Sequence, residues 1–305
     1  MSPMLRRLRP WLALAVVALV GFLAYRALAE YSIDDVLASL REISGAQLGA
    51  ALGLTVASFA CLSASDALAV RYAGHRLAYP KIVLASFTSV SIGHVLGFAA
   101  LSSGALRYRL YSRWGFSAGD VGRVVMFCGT TVSLGIATLG GTAFLLRSDA
   151  LAELFGLDRS LLLGLGSALL AVVVAYLILA ARVRRTLRLR RFELPVPSFG
   201  LAVGQILVGS TDMLLVSAVL HQMVSGAADV PYVAIATAYV TANAASVVTH
   251  IPGGLGIVEL VVVSLVPGAH VVGALIAFRA VYHLLPFLIG CSVLAVTELL
   301  RRRRG

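Results

Sequence analysis

Four ionisable residues stand inside otherwise apolar runs: Asp66, Asp212, Glu259 and Arg279, with His94 and His283 in similar surroundings. A charge at the centre of a membrane-spanning helix costs ~2.5–3.5 kcal/mol on insertion scales, so such residues face a protein interior or a watery cavity and find partners there. Two chemistries fit. One is a polar pathway or headgroup site in which the carboxylates meet protons or a cationic group. The other is a set of structural ion pairs, for example Asp66 or Glu259 with Arg279, that lock helices together. Asp66 has the weaker case for a pathway, because Arg71 lies about one turn on and draws it toward an interface. His94 taken alone reads as a satisfied interior histidine; grouped with these acids it joins the pathway.

Two further segments carry chemistry. Arg107-Tyr108-Arg109-Leu110-Tyr111-Ser112-Arg113-Trp114 sets three guanidiniums among three aromatics. Guanidinium forks suit phosphate bidentately, and aromatics suit headgroup depth. A topogenic cluster with an aromatic belt is the competing reading, and the irregular stretch before it tips the balance toward a phosphate site. Thr249-His250-Ile251-Pro252-Gly253-Gly254-Leu255-Gly256-Ile257-Val258-Glu259 reads as a broken helix. Pro252 ends one helix, and Gly253, Gly254 and Gly256 leave free the first N–H groups of a half-helix that starts within the membrane. Such N-termini bind anions, and Glu259 about one turn in is placed to meet a cationic group. A simple kink would need only the proline.

The elements that position these residues follow from composition. The chain of 305 residues is 59% hydrophobic and 13% charged, with a mean hydropathy of +0.93. Ordinary globular chains are about 45–50% apolar and about 25% charged. A water-soluble enzyme, a disordered tail and a coiled coil are excluded; the solvent for most of the chain is lipid. The net charge is +11, and Lys81 is the single lysine. It lies in Tyr79-Pro80-Lys81-Ile82, so the chain has no Gly-Lys-Ser/Thr phosphate loop. Nucleic acid is no partner, because the arginines occupy short loops between apolar runs rather than one basic face. Cys61, Cys128 and Cys291 are dispersed, without a CxxC pair, so neither a disulfide framework nor a metal knuckle is indicated, and no cofactor is expected.

Runs of ~20 apolar residues cross ~30 Å of hydrocarbon as helices. They read as spans at Trp11–Leu28, Gly45–Val70, Val121–Leu146, Leu161–Ala181, Phe199–Val219 and Val230–Val248, a short or broken piece at Leu255–Val266, and a long final run at Val271–Leu300. Residues 1–305 thus form one all-α polytopic membrane domain of about eight spanning helices. Ile82–Leu101, interrupted by Gly93, His94 and Gly97, reads as a re-entrant hairpin. With both termini cytoplasmic, that choice puts 20 of the 25 basic residues inside, whereas a full crossing would export Arg107, Arg109 and Arg113. Irregular backbone at membrane depth must line protein or a cavity. Arg6-Arg7-Leu8-Arg9 before the first run and Ala27-Leu28-Ala29 after it resemble a signal peptide; Arg26 and the polytopic remainder favour an uncleaved first helix. Gly45, Gly49 and Gly53, and Gly200 with Gly204, have the spacing of close helix packing. Ser117-Ala118-Gly119-Asp120 has the form of a capping box. The runs Arg182–Arg191 and Arg301–Arg304 read as insertion stop signals.

Three segments together resemble the lysylphosphatidylglycerol synthase transmembrane family, the flippase domain of multiple peptide resistance factor proteins and of stand-alone relatives. They are Gly93-His94-Val95-Leu96-Gly97-Phe98 running into Ser103-Gly104-Ala105-Leu106-Arg107-Tyr108-Arg109-Leu110-Tyr111, then Ile251 to Glu259, then Phe278-Arg279-Ala280-Val281-Tyr282-His283-Leu284-Leu285-Pro286. The resemblance covers Trp11 to Leu300. It implies movement of aminoacylated or other anionic phospholipids between leaflets of a bacterial inner membrane, a route to cationic-peptide resistance. Asp66 and Asp212 fall where the family carries acids, and Arg107 or Arg109 falls at its Arg-Tyr-Arg motif. Taken with the residue readings above, the expected headgroup residues are Arg107, Tyr108, Arg109, Arg113, Gly253, Gly254, Gly256 and Arg279. The polar pathway is Asp66, His94, Asp212, His250, Glu259 and Tyr282.

After Leu300 only Arg301–Gly305 follow, so lysyl-phosphatidylglycerol synthesis is not expected of this chain. A separate lipid-modifying synthase works beside it, or the lipid is a different one; phospholipids are its partners, and a homo-oligomer is compatible. The expectation is a non-enzymatic lipid flippase that runs downhill or is coupled to protons. The alternatives are a secondary transporter for a soluble solute and a non-catalytic membrane partner of a lipid-modifying enzyme. An intramembrane serine protease built on Ser102, Ser103 and His250 lacks its motif, because Ala100 stands where the first glycine belongs.

Overall fold

Local capping chemistry sets where the helices start and stop. The computed structural model describes residues 40–41, 43–96, 99–183, 186–189, 192–226, 229–249, 257–265 and 271–304. Ser44 opens α1 (Gly45–Tyr72) with a reciprocal capping box to Gln47. Gly74 closes it: a φ of +83° lets the His75 N–H reach the Val70 carbonyl at 3.1 Å and the Gly74 N–H reach the Arg71 carbonyl at 3.0 Å. This satisfies two carbonyls that a helix end leaves open. The chain then enters α2 (Tyr79–Leu96), with Pro80 in the first turn, where a missing N–H costs nothing. It returns along α3 (Ala99–Tyr111), which ends in a 3₁₀ turn at Ser112–Trp114 and Gly115 at φ +89°.

Ser117 caps α4 (Ala118–Leu146) in a second box with Asp120. The short α5 (Ser148–Phe155) and the long α6 (Arg159–Arg182) follow. Next come β1 (Thr186–Leu189) and β2 (Phe192–Pro195), paired antiparallel with Arg188 opposite Glu193. The remaining helices are α7 (Phe199–Val224), α8 (Tyr232–Thr249), α9 (Ile257–Leu265) and α10 (Val271–Arg279), then a π turn at Ala280–Leu284 and α11 (Leu285–Arg304). The π turn has a local cause. Pro286 has no N–H for the Tyr282 carbonyl and its ring crowds that carbonyl. The Leu285 N–H accordingly bonds the Ala280 carbonyl, five residues back.

Apart from the β hairpin, the chain is an all-α polytopic membrane protein. Among the described residues, five helices are long and apolar enough to cross a membrane: Gly45–Tyr72, Ala118–Leu146, Arg159–Arg182, Phe199–Val224 and the joined Val272–Leu300. Inner hydroxyls are absorbed by the helices themselves, as where Thr55, Ser63, Thr131 and Ser217 each donate to the carbonyl four residues back.

Lipid is as apolar as a leucine side chain, so close contact rather than water exclusion holds such helices together. α1 and α7 form the central pair. α7 crosses α4 at Gly209, where an added Cβ would stand 2.2 Å from the Thr131 carbonyl oxygen. α4 meets α6 through Gly141 and Gly166. Gly45, Gly49, Gly53 and Gly200 do not serve this purpose among the described residues, since a Cβ on any of them meets nothing within 4 Å; Gly204 does, against Leu68. α6 lies at the periphery, with Leu161, Leu165, Val172, Val174 and Ile178 exposed on it. Gln205, fully buried, accepts from the Tyr176 hydroxyl on α6 and donates to the Phe127 carbonyl on α4 at 3.1 Å.

Ser102-Ser103-Gly104 lies inside α3, and Gly93 on α2 lets Ser103 approach so closely that a Cβ there would be 2.9 Å from the serine Cβ. Arg107 and Arg109 therefore belong to the second helix of the α2–α3 hairpin. The Arg182–Arg191 run contains β1. The span at Trp11–Leu28, the Gly97–Phe98 link and residues 250–256 lie outside the described residues.

The glycine contacts set a stability contrast. Gly209→Ala should cost about 1–3 kcal/mol by overpacking the α4–α7 crossing. Gly164→Ala, at an exposed position where a Cβ meets nothing within 4 Å, should stay within about 0.5 kcal/mol. Thermal unfolding of the two variants in one detergent measures both.

Candidate functional site

The middle of the bundle contains a carboxylate that no cation balances among the described residues. Asp212 lies about 20 Å along α7 from its start and about 18 Å from its end at 1.5 Å per residue, and it is 6% exposed. The Ser58 hydroxyl on α1 donates to its Oδ1 at 2.5 Å, and Ser58 also shares a hydrogen bond of 3.0 Å with the Tyr282 hydroxyl. Tyr282 comes from the π turn. The widened turn sets it and His283 side by side, ring centroids 5.1 Å apart, instead of spreading them round a regular helix. Phe278 stacks on Tyr282 at 5.7 Å with the rings 7° from parallel.

His94, near the end of α2, closes the group at 6.3 Å from Tyr282 and 6.1 Å from His283. Four elements that are distant in sequence thus converge at mid-depth. Among the described residues the hydroxyls of Thr88, Ser89, Ser210 and Thr241 and Nδ1 of His283 are buried without hydrogen-bond partners, and the His283 atom belongs to this group. Each such group costs about 1–3 kcal/mol.

Asp66 has the opposite environment. It is 1% exposed and accepts hydrogen bonds from Arg107 Nε at 3.0 Å, Arg107 Nη2 at 2.8 Å, Ser86 at 2.9 Å and Tyr111 at 3.0 Å. Its partner is Arg107, 41 residues away on α3, and not Arg279. The pair ties α1, α2 and α3 together, and Tyr111 stacks in turn on Phe116 at 4.9 Å. Such closure is what makes a buried ion pair tolerable. Arg107 is therefore a structural cation here.

Arg109 and Arg113 both reach Glu298 on α11, Arg109 at 3.1 Å, and both stay partly exposed. Tyr108 points outward, 48% exposed. Arg279 is the half-buried last residue of α10, just before the π turn, and Glu259 lies in the first turn of α9. His250, Gly253, Gly254 and Gly256 lie outside the described residues. Among the described residues no group of histidine, cysteine or acidic side chains could hold a metal ion.

The structure thus brings together Asp212, His94 and Tyr282, and separately Asp66 with Arg107. The sequence reading missed Ser58, Ser86, Tyr111 and Glu298. Tyr111 had a signal, because it stands four residues after Arg107 and shares its helix face. Glu298 was visible as an acid near the end of an apolar run. Ser58 and Ser86 had none, since serines inside membrane helices usually bond their own backbone.

Removing one partner of a closed buried pair leaves a bare charge. Arg107→Met should therefore lower stability by about 3–5 kcal/mol. Adding Asp66→Asn to it should restore much of that loss. A double-mutant cycle on unfolding in detergent reads the coupling, and additive losses would contradict a direct pair.

No family model matches the chain. It is 30% identical over 278 residues to the uncharacterized protein slr0712 of Synechocystis sp., covering 90% of this chain and 86% of that one. It is 29% identical over 262 residues to the inner membrane protein YbhN of Escherichia coli, covering 84% and 81%. With nearly the whole of both chains aligned at that identity, the chain belongs to the family of slr0712.

Proposed function

We propose that this protein is a non-enzymatic phospholipid transporter of a bacterial inner membrane. It moves an anionic or aminoacylated phospholipid, of the lysyl-phosphatidylglycerol type, between leaflets. The observation that carries the transport reading is Asp212. It is a mid-depth carboxylate with one hydroxyl donor and no cation among the described residues, where a hairpin end and a π turn converge. A carboxylate so placed needs a proton or a visiting cation, and a headgroup ammonium or a coupling proton supplies it. The unpartnered Nδ1 of His283, beside Tyr282, supports a polar path there.

The lipid part rests on the resemblance to the lysylphosphatidylglycerol synthase transmembrane family and on the partly exposed guanidiniums Arg109 and Arg113 near the end of the bundle. The membrane assignment draws on YbhN, whose name places that protein in the inner membrane. By the charge bias of the sequence, the arginine-rich loops and both termini face the cytoplasm. A separate lipid-modifying synthase and a second copy of this chain are compatible partners.

The test is leaflet exchange of fluorescent phosphatidylglycerol and lysyl-phosphatidylglycerol in liposomes containing the purified protein. Asp212→Asn keeps the Ser58 bond and removes the charge, and should slow exchange at least about tenfold, the scale of one lost charge interaction. Wild-type protein that exchanges neither lipid would overturn the lipid reading and favour a soluble solute. Exchange unchanged by Asp212→Asn would remove Asp212 from the path.

A further inference from the structure

The end of the bundle where α1 stops and α2 starts holds a cleft of about 560 Å³. Its floor is apolar, made by Ala67, Val70, Leu77 and Ile82, with Val70 and Ile82 only 1% and 4% exposed. Its rim carries the guanidiniums of Arg71 and Arg76, together with His75 and Tyr79. The left-handed Gly74 turn folds this rim over the floor and uses up the Val70 and Arg71 carbonyls, so no bare carbonyl oxygen of those residues offsets the guanidiniums.

No carboxylate pairs with Arg71 or Arg76 among the described residues. The acid beside the rim is Asp120, and it is engaged by Ser117, His75 and Arg123. Every other arginine of this hairpin is committed to an acid: Arg107 to Asp66, Arg109 and Arg113 to Glu298. Lys81, in the first turn of α2, adds a cation over the Trp114 ring at 5.7 Å.

From this we infer that the cleft binds a phosphate oxyanion, and that the phosphodiester of an anionic phospholipid is its ligand. Two unpaired guanidiniums supply the oxyanion partners. The apolar floor has no use for free phosphate but covers the glycerol and first acyl carbons of a lipid. Tyr79, 52% exposed, adds an amphipathic ring of the kind that meets headgroups. The inference deepens the lipid-transport reading and rests on it only for the source of the phosphate. It makes this cleft a docking place on the basic side of the bundle, separate from Asp212.

Native mass spectrometry of the detergent-solubilised full chain, titrated with phosphatidylglycerol or phosphatidylcholine, tests it. The wild type should retain phosphatidylglycerol in preference, and Arg71→Gln/Arg76→Gln should weaken that retention roughly tenfold or more. Both arginines are exposed and unpaired, so the melting temperature should not move; the single charge reversal Arg76→Glu gives an independent measurement if the double variant is poorly folded. Millimolar inorganic phosphate that leaves the lipid bound assigns the site to lipid, whereas displacement assigns it to phosphate oxyanions generally. Equal retention by wild type and both variants, or no preference for phosphatidylglycerol, overturns the inference. Leaflet exchange measured in parallel separates the two claims, because lost exchange with intact retention counts against transport alone.

Discussion

The buried pair of Asp66 and Arg107 is the interaction on which the rest of this structure depends. Two charges at this depth are affordable only when every lone pair and N–H has a partner, and the carboxylate here receives four hydrogen bonds. To deliver them, α3 must turn back along α2 and end beside the last turns of α1. The hairpin therefore opens at the basic end of the bundle. Ile82, Leu110, Tyr111, Phe116 and Val124 then pack into one cluster at that end, and the same cluster backs the cleft between α1 and α2.

Asp212 shows what the same residue type does without that closure. Both aspartates are almost inaccessible, yet one is matched by a guanidinium and two further donors and the other by a single serine among the described residues. The matched one organises helices. The unmatched one sits beside Tyr282, which is in place because Pro286 breaks the hydrogen-bond ladder and leaves a π turn. π turns recur at functional positions because they re-aim side chains while the helix continues. Burial alone would not have separated the two carboxylates.

Outside these polar points the bundle is held by close helix crossings. Gly209 against Thr131 and Gly135, and Gly141 against Gly166, let backbones approach to van der Waals contact. The lipid-facing surface is free to be apolar, as on α6.

The sequence by itself determined the solvent, the helical class and the local punctuation. Composition assigned the chain to lipid; Ser117 with Asp120 marked a helix start that the structure shows capped; Asp66, His94 and Asp212 were visible as polar residues in apolar surroundings. Tertiary structure alone decided the partnerships. Asp66 meets Arg107 rather than Arg279, Gly209 rather than Gly49 makes a crossing, and Arg71 and Arg76 end on a cleft rim. The physical reason is the solvent. A soluble helix declares its buried face through the alternation of polar and apolar residues, whereas a helix in lipid is apolar toward both lipid and protein. The face that turns inward is then chosen by contacts between residues far apart in the chain, and those exist only once the bundle has assembled.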